Sequence, residues 1–355
     1  MFRRLWSYII LTLAFSLAGC DEEAPTQPSA PADPDNTAPS LATVASNTWA
    51  PIAPMPGEDG FAPAIGVADF SSGVSKAYVF GGTNGAGGSG AATRIYDVAT
   101  NTWSLPKDPY NNQVYVFNTN GVGNIGGKLY FSGGYDYGSG SKEIQSTVWA
   151  FDPVTETLTR KADLPLHTAD GVTGVIGSML YVLPGRCYAI GIVYLGYCVQ
   201  EEAIRKLFRY NPATNIWVTK ASCPHYHRNG VGGVINGKFY VVSGGKVDQF
   251  TATATLDVYD PATNTWKTLA PLPTPLRSVV GAALQGKLFV IGQTATGSIR
   301  HYAYVPATNK WITKAAPDSY GGQATRVILN GISRLLVVSG GTVDSPPGRS
   351  QIYTP

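Results

Sequence analysis

Tyr259-Asp260-Pro261-Ala262-Thr263-Asn264-Thr265-Trp266 decides the fold, because the chain writes it five times. The other copies are Tyr96-Asp97-Val98-Ala99-Thr100-Asn101-Thr102-Trp103, Phe151 to Leu158, Tyr210 to Trp217 and Tyr304 to Trp311. An aromatic pair stands seven residues apart in each, with Leu158 the one substitution. Five of the seven tryptophans occupy the closing position or its N-terminal counterpart, Trp49. A second landmark precedes each copy: an apolar run ending in two glycines, as in Tyr78-Val79-Phe80-Gly81-Gly82 and Tyr240-Val241-Val242-Ser243-Gly244-Gly245. Further copies end at Gly133-Gly134 and Gly340-Gly341, with degenerate forms at Pro184-Gly185 and Gly292-Gln293. The pairs begin at 81, 133, 184, 244, 292 and 340, which counts six units.

One unit reads as a four-stranded antiparallel sheet. Its inner strand is rich in glycine and valine, where neighbouring sheets crowd toward a common axis. A glycine turn such as Asn236-Gly237-Lys238 leads into the apolar second strand. The Tyr-Asp-Pro-x-Thr-x-x-Trp stretch supplies the third strand, a polar turn and the fourth strand. Its aromatics seal adjacent sheets. A single sheet of this kind leaves both faces unburied, and a ring of them covers all.

These landmarks resemble the Kelch repeat, and the resemblance covers residues 44 to 355. It implies an all-β, six-bladed Kelch-type β-propeller. The chain ends on a third strand, Gln351-Ile352-Tyr353-Thr354-Pro355, with no fourth. The missing half, Val44-Ala45-Ser46-Asn47-Thr48-Trp49, stands before the first unit. The N-terminal strand is therefore expected to complete the last blade and close the ring.

The region before the repeats reads as an address and a tether. Met1-Phe2-Arg3-Arg4 is basic, Leu5 to Leu17 is apolar, and Leu17-Ala18-Gly19-Cys20 resembles a bacterial lipoprotein signal. That resemblance implies a signal peptide over residues 1–19 and lipidation of Cys20. Acyl chains there would anchor the protein to the inner or outer membrane of a bacterial cell envelope, facing the periplasm or the exterior. Residues 20–43, with Pro25, Pro28, Pro31, Pro34 and Pro39, read as an unfolded spacer. The propeller follows over 44–355.

Composition agrees with this division. The 355 residues include 41 glycines and 25 prolines, and only 14% are charged while 44% are hydrophobic. That combination excludes whole-chain disorder and favours a turn-rich β fold. The net charge is +3, and losing Arg3 and Arg4 leaves 24 basic against 23 acidic residues. Nothing there recommends a nucleic-acid partner. A monomer without a cofactor is expected.

Candidate site residues come from the connections between blades, which share a face with the loops between second and third strands. They are Glu58, His167, Asp170, His225, His227, Arg228, Arg277 and Tyr320. Arg228 and Arg277 each precede a turn glycine by nine residues and should occupy equivalent positions. Guanidinium forks beside a carboxylate suit an anionic or hydroxyl-rich ligand. Cys187 and Cys198 are the preferred disulfide, which leaves Cys223 odd. A metal site from these cysteines with His225 and His227 is the alternative, but no CxxC or HExxH spacing supports it, so no metal is expected.

Two functions fit. The first is a membrane-anchored module that binds a protein or a glycan on its loop face. The alternative is a periplasmic mutarotase or epimerase of an acidic sugar, since six-bladed Kelch propellers include sialic-acid mutarotases. A copper-radical oxidase ranks below both, because those enzymes carry a seven-bladed ring and accessory domains.

Overall fold

A computed structural model describes residues 41, 44–56, 63–69, 73–82, 93–107, 116–136, 143–187, 201–245, 251–338 and 350–355. Six four-stranded antiparallel sheets follow one another along the chain. Blade 1 comprises Ala64–Asp69, Ser75–Phe80, Arg94–Asp97 and Thr102–Ser104. Blade 2 comprises Val122–Ile125, Lys128–Ser132, Val148–Asp152 and Thr157–Lys161. Blades 3, 4 and 5 begin at Val172, Val231 and Arg277 in the same pattern. The first strands of the blades neighbour one another in a closed cycle, so they line the axis. The chain is a six-bladed β-propeller.

Blade 6 takes three strands from the C-terminal end and one from the start. Thr48–Pro51 pairs antiparallel with Gln351–Thr354, with Trp49 opposite Tyr353. The ring therefore closes by hydrogen bonds across the whole length of the sequence, as the half-motifs at the two ends require.

The core is divided into six layers, one between each pair of blades. Strand alternation builds them, because successive side chains leave a strand on opposite faces. In the second strand of blade 5, Leu288 and Val290 pack toward blade 4, while Phe289 and Ile291 pack toward blade 6. Tyr240 and Leu256 meet the first pair, and Leu335, Val337 and Tyr353 meet the second. Inner-strand glycines permit the close approach near the axis. A Cβ on Gly123 would lie 2.5 Å from Leu180 Cδ1 and 2.6 Å from Val175 Cγ2.

The repeated octapeptide is a clasp between blades. Asn264 sits at φ 55°, a left-handed conformation that asparagine tolerates better than most residues. Its Oδ1 accepts hydrogen bonds from Tyr259 Oη (2.8 Å) and from the Ala221 backbone N–H (3.1 Å). Trp266 Nε1 donates to the carbonyl of the same Ala221 (2.8 Å). Ala221 lies on the connection entering the blade from its predecessor. The arrangement recurs with Asn101 and Ala53, Asn215 and Ala162, and Asn309 and Ala270. At the ring closure, Asn47 accepts from Tyr353 and Ala315, while Trp49 donates to Ala315. In blade 2, Glu156 takes the asparagine position and its carboxylate accepts from the Lys107 N–H. Asn264→Ala should cost about 2 kcal/mol in denaturant unfolding, since it removes the acceptor shared by the part-buried Tyr259 hydroxyl and the Ala221 N–H. Glu156→Ala, in an exposed and incomplete clasp, should cost under about 1 kcal/mol.

The closure also carries a titratable group. His301 is fully buried among Trp49, Tyr353 and Phe289, with ring centroids 5.6, 4.7 and 5.8 Å away. Its Nδ1–H donates to the Ala315 carbonyl (2.8 Å). Burial lowers its pKa to about 4, against the opposing pull of that hydrogen bond. The folded protein thus prefers the neutral ring. Stability is full above the unfolded pKa of about 6.5 and is lost as pH falls toward 4, because the unfolded chain takes the proton first. A gap of that size is worth about 3 kcal/mol. Unfolding free energies at pH 7 and pH 4.5 should differ by less in His301→Phe than in the native chain.

Candidate functional site

Short secondary ladders gather the loops on one face. Val116–Phe117, Tyr135–Asp136 and Glu143–Ile144 form one, joining the entry to blade 2 with the loop between its second and third strands. Thr168–Ala169 and Arg186–Cys187 form its counterpart in blade 3. In blade 4 the link is a bridge between Arg228 and Gly245. These ladders follow directly on the glycine pairs. Gly133 has φ 63°, and a Cβ there would meet the Thr168 carbonyl oxygen at 2.1 Å, so only glycine lets the ladder form.

The entries to blades 2, 3 and 4 are stitched together through their backbones. The Asp170 N–H donates to the Asn118 carbonyl (2.9 Å), and the Asn229 N–H donates to the Asp170 carbonyl (2.8 Å). All three residues have positive φ, between 51° and 59°. This places the Asp170 side chain beside Arg228. Arg228 Nε and Nη2 donate to Asp170 Oδ2 at 3.2 and 3.1 Å. The two side chains are 4% and 2% exposed, so the pair is inside the protein.

A second guanidinium completes the cluster. Arg186 is half-buried and donates through Nη1 to Tyr135 Oη (2.5 Å). Its charge acts on both Asp170 and Arg228. Burial raises the Asp170 pKa, with the fields of Arg228 and Arg186 pulling the other way. Burial likewise lowers the Arg228 pKa, opposed by Asp170. Two guanidiniums thus act on one buried carboxylate, and Arg186 is the half-buried member of the cluster. Such a site can present a planar fork to a carboxylate or phosphate from outside.

The remaining sequence candidates lie around this centre. Arg277 pairs with Gln293 in blade 5, at the position that Arg228 holds against Gly245 in blade 4. It is exposed, whereas Arg228 is buried against Asp170, so the two arginines do not face one carboxylate together. The second guanidinium acting on Asp170 is Arg186. Tyr320 packs on the layer between blades 5 and 6, and its Oη approaches the Arg277 carbonyl (3.5 Å). His167 donates from Nδ1 to the Ile144 carbonyl (2.9 Å). Glu58, Cys20 and Cys198 lie outside the described residues. Cys187 is disulfide-bonded, and Cys223 is free and buried.

The two histidines near Arg228 belong to another cluster. His225 Nδ1 and His227 Nε2 lie 2.8 and 2.9 Å from Asp257 Oδ2. The Cys223 thiol donates to the same oxygen at 3.6 Å. Thr268 Oγ1 donates to Asp257 Oδ1 (2.7 Å), and His227 Nδ1 donates to the Ser243 carbonyl (2.9 Å). Burial pushes the Asp257 carboxyl up, but hydrogen bonds from His227, Thr268 and His225 outweigh it and hold the pKa below the usual carboxylate value. Cys223, His227 and Asp257 together present three potential metal-ligand atoms.

Sequence reading missed Arg186, Tyr135 and Asp257. A signal for the first two exists: each directly follows a glycine pair, Pro184-Gly185 or Gly133-Gly134, where the secondary ladder turns it toward the loop face. Asp257 stands within a third strand between Leu256 and Val258, a charge inside an otherwise apolar run.

Comparisons with known proteins agree with this architecture. A family model for the Kelch motif matches residues 118–165, the span of blade 2. The Kelch-like protein terF of Aspergillus terreus (strain NIH 2624 / FGSC A1156) is 26% identical over 217 residues, which is 59% of this chain. The matched stretch is 43% of that relative, so this chain spans less than half its length. The solved structure of YjhT superimposes with a TM-score of 0.63 at 17% identity, over 85% of this chain and 95% of its own. The shared feature is the Kelch-type propeller fold. Among the described residues, no helix is long and apolar enough to cross a membrane.

Proposed function

We propose that this Kelch-type propeller is a binding module whose loop face, at blades 2 to 4, takes an acidic glycan. The observation that carries the reading is the Asp170–Arg228–Arg186–Tyr135 cluster, which sets two guanidiniums on the loop face around one carboxylate, with Arg186 the half-buried one. Arg228, locked onto Asp170, sets the floor; Arg186 makes the contact. Lipidation of Cys20 holds the module to a bacterial membrane, and the proline-rich stretch after it serves as a spacer that is shorter than residues 20–43, because Leu41 is already buried in the layer between blades 6 and 1 and accepts from Arg334.

A thermal-shift series with acidic sugars and their neutral counterparts tests the ligand class. Acidic sugars should raise the melting temperature of the native chain and leave Arg186→Ala unmoved. A response to neutral sugars alone, or an undiminished response in Arg186→Ala, refutes the assignment. The anchor is tested separately: Cys20→Ser should move the protein from the membrane to the soluble fraction of its bacterial host.

A second reading has one specific support. Asp170, whose burial raises its pKa, is the proton donor a sugar mutarotase would use beside the anomeric carbon, and a sugar reaches it only once the buried Arg228–Asp170 pair opens. The native protein would then speed anomer interconversion of an acidic sugar, followed by NMR. An unaccelerated rate retires the enzyme and leaves the binding module.

A further inference from the structure

We propose that Cys223, His227 and Asp257 form a binding site for a zinc-class divalent cation in blade 4, with His225 as the fourth donor. The site is separate from the acidic-ligand face and does not depend on it.

The first support is convergence. Three side chains from one chain segment, Cys223, His225 and His227, aim at one oxygen on another, Asp257 Oδ2. His225 Nδ1 and His227 Nε2 stand within 2.9 Å of it and Cys223 Sγ at 3.6 Å. The donor atoms of Cys223, His227 and Asp257 all lie within 4.8 Å of one another. Small side-chain rotations bring such a set to metal–ligand distances of about 2.0–2.3 Å. Thiolate, imidazole and carboxylate together match a borderline-soft cation better than magnesium or calcium, which take oxygen ligands.

The second support is the outer shell. Metal-binding histidines donate their other ring nitrogen to a carbonyl or carboxylate, which fixes the ring and the tautomer. His227 does this through Nδ1–H to the Ser243 carbonyl. The non-ligating oxygen of Asp257 is held by Thr268. The loop is held too. The Cys223 N–H donates to the Arg205 carbonyl (2.7 Å), Arg205 Nη1 donates to the Pro224 carbonyl (3.3 Å), and the Arg205 guanidinium lies over the Tyr226 ring.

The third support is the environment. The side chains of His227 and Asp257 are fully buried and Cys223 is 0% exposed, while the His225 side chain is 41% exposed and gives the cation a way in. Binding of a divalent cation releases a proton: the Cys223 S–H bond gives it to solvent and the sulfur lone pair bonds the metal. The proton between His227 Nε2 and Asp257 Oδ2 leaves in the same way.

The test uses the full chain after chelator treatment, titrated with Co(II) as a spectroscopic probe and with Zn(II) in competition. One equivalent of cobalt should produce a thiolate-to-metal charge-transfer band and ligand-field bands of tetrahedral intensity. Zinc should abolish both. Cys223→Ser should lose the charge-transfer band, and Asp257→Asn should bind at least about tenfold more weakly. Core variants can fail to fold, so His225→Gln, changed at the exposed position, is the companion. It should remain folded and bind about tenfold more weakly. In the unaltered chain, zinc should raise the melting temperature relative to chelator. No charge-transfer band together with no zinc-dependent melting shift overturns the site. So does a band that survives in Cys223→Ser.

Discussion

A chain lacking residues 44–56 should melt about 10–20 °C below the full propeller. The deletion removes the strand Thr48–Pro51 and with it the ladder from Thr48 opposite Thr354 to Pro51 opposite Gln351. It also removes the Asn47 and Trp49 halves of the closing clasp, which grip Tyr353 and Ala315. Losing Trp49 and Ile52 from the layers beside blade 6 costs about 2–3 kcal/mol for each large side chain. Broken hydrogen bonds add about 1 kcal/mol apiece. The sum exceeds about 5 kcal/mol, and each kcal/mol moves the midpoint by about 2–4 °C in a larger domain. Calorimetry of the two chains decides it. An unchanged midpoint would show that the ring does not need its N-terminal strand.

Arg228→Met should be the most destabilising single change on the loop face, by about 3–5 kcal/mol, because it leaves the Asp170 carboxylate buried without its partner. Arg277→Ala, on an exposed side chain, should fall within about 0.5 kcal/mol of the native chain. Adding Asp170→Asn to Arg228→Met should recover part of the loss, since the uncompensated charge is then gone. Denaturant unfolding of the four proteins gives the comparison. Equal costs for the two arginines would mean that the Arg228 pair is solvated and weak. The contrast also decides which arginine probes ligand binding: Arg186 is half-buried and bonds to Tyr135, so its removal spares the Arg228–Asp170 pair.

The fold was legible in the sequence because its determinants repeat. Tyr, Trp and the glycine pairs recur at fixed spacing, and each does the same job in every blade. Even the exception is readable: blade 2, which lacks the tryptophan at Leu158, places the Glu156 carboxylate where the asparagine amide sits elsewhere. The ring closure was visible as two half-motifs at opposite ends of the chain.

The site was only half legible, for the opposite reason. Asp170 and Arg228 were singled out, but their pairing across 58 residues depends on positive φ at Asn118, Asp170 and Asn229, which sets the loop staircase. Arg186 was overlooked although it directly follows the Pro184-Gly185 landmark, the place that Tyr135 holds in blade 2. Arg277 shares the register of Arg228 without sharing its surroundings, because repeat arithmetic fixes backbone position and says nothing of what a neighbouring loop supplies. The same holds for Asp257, which gathers Cys223, His225 and His227 from the adjoining blade entry.

Calorimetric titration of a carboxylated sugar into the native chain and into Arg186→Ala bears most directly on the role given to the loop face. Binding should weaken with added salt, and the variant should bind about 10- to 100-fold less tightly, as loss of a charged hydrogen bond requires. Equal affinity for the two proteins, or equal affinity for the sugar and its uncharged analogue, would contradict it.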